Sequence, residues 1–148
     1  MSSTRSRGDD PMSDRIAGGA EGARIVLVED HPDAAESLAL LLELLGHRVR
    51  VFSEGAAALA AASTDPPDVM VVDIGLPGID GYEIARRVRR DPSLRHAVLI
   101  ALTGYGSDDD RRESKAAGFD HHLVKPVEPR SLENLVARLG KPPSRALQ

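Results

Sequence analysis

The sequence predicts an α/β fold in which five parallel strands are wound with helices on both faces, and three observations predict it. Between residues 23 and 139, apolar runs alternate five times with stretches whose apolar residues recur at helical spacing. Three of the runs, Ile25-Val26-Leu27-Val28, Val69-Met70-Val71-Val72 and Val98-Leu99-Ile100-Ala101-Leu102, are continuous rather than alternating, as strands covered on both faces require. Unexpected polar residues close the runs: Glu29 and Asp30, Asp73, Thr103 and Lys125.

Arg48 to Phe52 and His121 to Val124 are shorter, more polar runs, which suits edge strands. Ala34, Leu38, Leu41, Leu42 and Leu45 mark the core face of a first helix, and Leu132, Leu135, Val136 and Leu139 that of a last one. An Ala-rich helix follows Ser53. Asp80-Gly81-Tyr82-Glu83 is a capping-box pattern opening a helix with Ile84, Ala85 and Val88 inward, and Ser107 followed by three aspartates places acids at another helix start. Right-handed crossovers then wind the helices onto both faces of the sheet. Residues 1–22, rich in Ser, Gly, Arg and Asp, are expected to be a flexible tail. Gly140 and the two prolines after it stop the last helix, leaving 140–148 as a second tail and 23–139 as one domain.

Composition narrows the chemistry. At 148 residues and 41% hydrophobic the chain can bury one core. Without cysteine it has no disulfide, no thiolate nucleophile and no Cys-type zinc site. A formal charge of -4 argues against nonspecific attraction to nucleic acid or to an anionic membrane. No apolar run reaches the roughly 18 residues of a membrane helix, and the N-terminus lacks a secretory apolar stretch, so a cytoplasmic protein is expected.

The polar residues that close the strands share one edge of a parallel sheet, the edge where ligands bind at the topological switch point. With strand order 2-1-3-4-5, Glu29, Asp30 and Asp73 cluster there, Thr103 lies one strand away and Lys125 reaches in from two. Carboxylates about 5 Å apart at an effective dielectric near 20 repel by on the order of 3 kcal/mol per pair, which calls for a cation. An oxygen-only donor set on an open edge suits Mg2+, and Lys125 adds a fixed charge. This favours phosphoryl transfer to a carboxylate nucleophile, with Asp73 central. Asp30, Asp73 and the Gly75 carbonyl would hold Mg2+, Glu29 would act through water, and Lys125 and the Thr103 hydroxyl would hold phosphoryl oxygens.

Val26-Leu27-Val28-Glu29-Asp30, Val71-Val72-Asp73-Ile74-Gly75-Leu76-Pro77-Gly78-Ile79-Asp80-Gly81, Ala101-Leu102-Thr103-Gly104 and Leu123-Val124-Lys125-Pro126 together resemble the motif set of bacterial response-regulator receivers. The resemblance covers residues 24 to 139 and implies a flavodoxin-like fold. It also implies phosphate transfer to Asp73 from the phosphohistidine of a sensor histidine kinase or histidine phosphotransfer protein. Signalling would run through the face formed by the fourth helix, fifth strand and fifth helix, to a downstream protein or a second copy of the chain. A cis peptide at Lys125-Pro126 is implied too. One departure stands out: the family places an aromatic switch residue three positions before the lysine, where this chain has His122, so its coupling to Thr103 is expected to differ. Gly75 and Tyr105 also alter the rim of the pocket.

Rival readings fare worse. Asp73-Ile74-Gly75 lacks the second aspartate two residues on that a haloacid-dehalogenase hydrolase needs as general acid. Glu29-Asp30 would repel the phosphate of a flavin. His121 and His122 point to opposite faces of a strand and so do not share a metal. Arg86, Arg87, Arg89 and Arg90 read as the solvated side of a helix. A binding module that keeps the fold but not the phosphorylation is the remaining alternative. With the ends too short for an output domain, the expectation is a single-domain regulator that is a phosphoacceptor rather than an enzyme acting on other substrates.

Overall fold

The computed structural model describes residues 22–76, 78–104 and 108–139. The tails expected at 1–22, Gly22 apart, and at 140–148 lie outside these residues, as do the Gly140 cap, the Ser107 helix start, Tyr105 and the side chain of Leu139. Ten elements alternate: β1 (Arg24–Val28), α1 (Pro32–Leu44), β2 (Arg48–Phe52), α2 (Gly55–Thr64), β3 (Val69–Asp73), α3 (Gly81–Arg90), β4 (Val98–Thr103), α4 (Asp108–Ala117), β5 (His121–Val124) and α5 (Pro129–Leu139). The strands form one sheet in the order β2-β1-β3-β4-β5, with every neighbouring pair parallel. This is the doubly wound, flavodoxin-like arrangement, with its switch point between β1 and β3.

Strand pleating sorts the apolar runs into two cores. Val26, Val28, Met70, Val72, Leu99 and Ala101 face one way, against Ala58 and Ala62 of α2 and Ile84, Ala85 and Val88 of α3. Ile25, Leu27, Val69, Val71, Ile100 and Leu102 face the other, against Leu38 and Leu42 of α1 and Leu132, Leu135 and Val136 of α5. Both residue sets are buried, which is why these runs carry no polar alternation. In α1 the buried alanine is Ala35; Ala34, expected on the core face, is half-buried, because the stripe is centred one residue further round.

Helix starts are set locally. Pro32 opens α1, where its fixed φ suits the first turn. Asp80 caps α3 by accepting from the Glu83 N–H at 2.9 Å. The reciprocal half of the expected capping box is not made, because the Glu83 carboxylate turns to Arg86 at 3.1 Å and Arg87 at 2.9 Å along the helix surface. Gly81 is needed for a close approach: a Cβ there would lie 2.7 Å from the Ile74 Cα and 3.0 Å from the Asp73 carbonyl oxygen. The start of α3 is thereby pressed against the segment that leaves β3.

Arg89 overturns part of the reading of the basic run. Arg86, Arg87 and Arg90 are exposed, but Arg89 is half-buried and donates to three carbonyls: Gly118 at 2.9 Å, Arg95 at 2.7 Å and Ala97 at 2.8 Å. It also donates to Asp120 at 2.7 Å, whose same oxygen accepts from the Leu99 N–H at 2.8 Å. Its position next to Val88 puts it at the flank of the apolar stripe, where the long stem reaches the sheet edge. Gly118, at φ +121°, leaves room for that stem, since a Cβ would sit 2.8 Å from the Arg89 Cγ.

Two outcomes are expected. Arg89→Lys should lower the free energy of urea unfolding by about 2 kcal/mol, because an ammonium cannot serve a fork of four acceptors; an unchanged midpoint would show the network to be ornamental. His47 accepts from the Ala23 N–H at Nδ1 (2.9 Å), and burial holds its pKa below the ordinary 6.5. The unfolded chain therefore takes up a proton that the native imidazole refuses, so the stability His47 contributes is present above pH 6.5 and is lost as pH falls below it. Urea midpoints measured from about pH 7.5 down to about 5.5 should fall less steeply in His47→Gln than in the wild-type chain.

Candidate functional site at the carboxyl edge of the sheet

The ladder continues one residue beyond β1 and β5: the Glu29 N–H donates to Phe52 at 3.0 Å, and the Lys125 N–H to Thr103 at 2.7 Å. Pleating therefore carries Glu29, Asp73 and Lys125 to the same side as Leu27, Val71 and Leu123. There they meet. Lys125 Nζ lies 2.9 Å from Asp73 Oδ2 and 2.9 Å from Glu29 Oε1. The contact with Glu29 is an ion pair without hydrogen-bond alignment. The Glu29 side chain is fully buried and that of Asp73 nearly so, whereas Lys125 and Asp30 are partly open to solvent.

The other Asp73 oxygen, Oδ1, accepts from the Gly75 N–H at 2.9 Å. Burial opposes the charge on Asp73, but the hydrogen bonds from Lys125 and Gly75 outweigh it and hold the carboxyl below its ordinary pKa. Burial likewise opposes the charge on Lys125, and contact with Asp73 and Glu29 outweighs it and raises the ammonium above its ordinary value. Both groups are ionised at neutral pH. Gly75 is exposed, and a Cβ there would still clear Asp73 Oδ1 by 3.7 Å, so the mouth of the pocket is open on that side.

Thr103 is buried at the end of β4, one residue beyond Leu102, the register partner of Asp73. The Lys125–Pro126 peptide is cis. His122 pairs with Ala101 and sits two residues short of the Thr103–Val124 pairing. Its Nε2 is buried without a hydrogen-bond partner, and burial, reinforced by Arg111 on α4, lowers its pKa.

Donor atoms of Glu29, Asp30, His31 and Asp73 all lie within 4.8 Å of one another, forming the one such group of metal-binding side chains among the described residues. Sequence reasoning missed His31. The signal was an imidazole directly after the acid pair; it sits at the N-cap of α1, where its side chain makes no capping bond and is left to turn toward the acids. Its Nδ1 lies 3.3 Å from Glu29 Oε2 and 3.5 Å from Asp30 Oδ1.

The response regulator receiver domain family matches residues 25–137. The chain belongs to the response-regulator receiver family. An uncharacterised protein of Leptolyngbya boryana is 36% identical to this receiver over 80% of the chain and 92% of its own length. The transcriptional regulatory protein TcrA of Mycobacterium tuberculosis is 38% identical over 84% of the chain, and the chain spans about half of TcrA (47%). Among solved structures, the receiver domain of a Pseudomonas aeruginosa sensor histidine kinase, with a magnesium ion coordinated in its active-site cleft, superposes with a TM-score of 0.74 at 32% identity, covering 80% of this chain and 98% of that one. Receivers of this kind belong to two-component regulatory systems. Among the described residues, no helix is long and apolar enough to cross a membrane.

Three carboxylates against one ammonium leave the receiver pocket with surplus negative charge. Asp30→Asn should therefore stabilise the fold in metal-free buffer, by on the order of 1 kcal/mol once solvent screening is allowed for. Urea unfolding in EDTA measures this, and a lower midpoint in the variant would contradict the crowding.

Proposed function

We propose that the chain accepts a phosphoryl group on Asp73 from the phosphohistidine of a sensor histidine kinase or histidine phosphotransfer protein, in a Mg2+-dependent reaction. The observation that carries this reading is the Asp73 carboxylate, ionised and nearly buried, with Lys125 Nζ at 2.9 Å on one oxygen and the Gly75 N–H at 2.9 Å on the other. An ionised carboxylate needs no general base. One of its oxygens forms the bond to phosphorus as the bond from phosphorus to the donor imidazole breaks, and the imidazole leaves with the electron pair and takes up a proton.

The donor set fits a hard dication. Asp30 Oδ1 is a buried oxygen without a hydrogen-bond partner, beside the carboxylates of Glu29 and Asp73. In this reading Asp30, Asp73 and the Gly75 carbonyl hold Mg2+, with Glu29 acting through water. Bound there, the ion supplies positive charge against the phosphoryl oxygens. Lys125 turns from the Asp73 carboxylate to a phosphoryl oxygen, and the Thr103 hydroxyl takes another.

Signalling then passes through the α4-β5-α5 face to a partner protein or a second copy. Thr103 closes β4 and Lys125 directly follows β5, the two joined by the Lys125 N–H to Thr103 carbonyl bond at 2.7 Å. His122, beside Arg111, stands where an aromatic switch residue is usual, so the switch here is an imidazole whose buried Nε2 can gain a polar partner by moving.

Incubation with a small phosphodonor and Mg2+ should add one phosphoryl group to the wild-type chain, stable to acid and labile to base, and none to Asp73→Asn. EDTA should abolish the gain. Equal labelling of Asp73→Asn would move the acceptor elsewhere, and no labelling with any donor would favour a phosphorylation-independent binding module.

A further inference from the structure

We propose that His31 contributes a nitrogen ligand to the acid cluster and tunes it toward a first-row transition dication such as Mn2+ over Mg2+. The inference rests on reading Glu29, Asp30 and Asp73 as a metal site and concerns what the adjacent imidazole adds to it. Oxygen donors alone suit Mg2+; imidazole nitrogen is a softer donor, which transition ions accept and Mg2+ does not favour.

The geometry points to a ligand rather than to a helix cap. His31 occupies the N-cap of α1 but makes no side-chain capping bond. Its Nδ1 is instead aimed at the acids, 3.3 Å from Glu29 Oε2 and 3.5 Å from Asp30 Oδ1. The two oxygens of Glu29 divide the pocket: Oε1 faces Lys125 and Oε2 faces His31. The lysine therefore neutralises one side, while the imidazole meets the orphaned Asp30 Oδ1 on the other. The span of 4.8 Å across all four donor groups is close to the roughly 4 Å that separates opposed donors around one small dication. The main-chain N–H of His31 donates to Glu29 Oε2 at 3.2 Å, which fixes the backbone from which the ring projects.

The ring is mostly solvent-exposed, so it can swing between water and the cluster at little cost in packing. Because the side chain bonds no helical N–H, its removal leaves α1 intact.

Mn2+ binding to the full chain, followed by electron paramagnetic resonance, tests the assignment. Pulsed spectra of the Mn2+-loaded wild type should show coupling to a nitrogen nucleus, and the coupling should vanish in His31→Ala. Affinity for Mn2+ should fall on the order of tenfold in the variant, at the lower end of what loss of a metal-site partner costs, while affinity for Mg2+, read by competition, changes much less. Mn2+ bound without nitrogen coupling, coupling that survives in His31→Ala, or no Mn2+ binding at all would each overturn the proposal. Phosphoryl labelling of the wild type with Mg2+, run on the same preparation, separates the two readings. Labelling without nitrogen coupling sinks the His31 ligand alone, and coupling without labelling sinks the phosphoacceptor alone.

Discussion

The meeting of Lys125 with Glu29 and Asp73 is the constraint on which the carboxyl edge of the sheet depends. Glu29 is a charged side chain with no exposed surface, and burying an unpaired carboxylate costs far more than any single packing contact returns. Lys125 makes that burial tolerable from three strands away. It can do so only if β1, β3 and β5 present the same side of their pleats to one pocket, so the register of the whole sheet is tied to one ammonium. Replacing Lys125 by an apolar residue would leave both carboxylates without their counter-charge, whereas replacing Glu29 would remove the buried charge that ties the ammonium to β1.

The two edges of the sheet divide the work. At the amino edge, Arg89 binds three carbonyls and Asp120, joining α3 to the starts of β4 and β5 with its acceptors satisfied. At the carboxyl edge, Asp30 Oδ1 has no hydrogen-bond partner and three acids share a small volume. A fold that places its satisfied network at one end can hold an unsatisfied one at the other. That is the distribution expected where a site gives up local stability for chemistry.

Most of the architecture was legible because it rests on patterns that tertiary context does not alter. Continuous apolar runs marked β1, β3 and β4, and polar residues closing them marked the edge where the acids gather. The strand order was less secure from residues alone, since periodicity says nothing of which strand neighbours which; the motif set supplied it. Side-chain direction was the part that could not be read. Arg89 is of the same residue type as Arg86, Arg87 and Arg90, and what makes it an anchor is a set of acceptors brought in from the segments before β4 and β5, with Gly118 leaving room for its stem. Glu83 matches a capping box by spacing, yet two arginines one turn on compete for its carboxylate and win.

The same limit explains His31 and His122. The histidines at 121 and 122 are legible as a pair that adjacency in a strand separates, while nothing in the residue order shows that the imidazole next to the acids faces them. Its role follows from a negative fact that sequence does not carry: the side chain makes no cap. His122 is legible as a departure from an aromatic position but not in its consequence, which is a ring nitrogen buried without a partner. An aromatic ring in that seam would be held by packing alone. An imidazole there is held against the cost of an unmet hydrogen bond, roughly 1–3 kcal/mol, which is the size of the couplings that link one site to another.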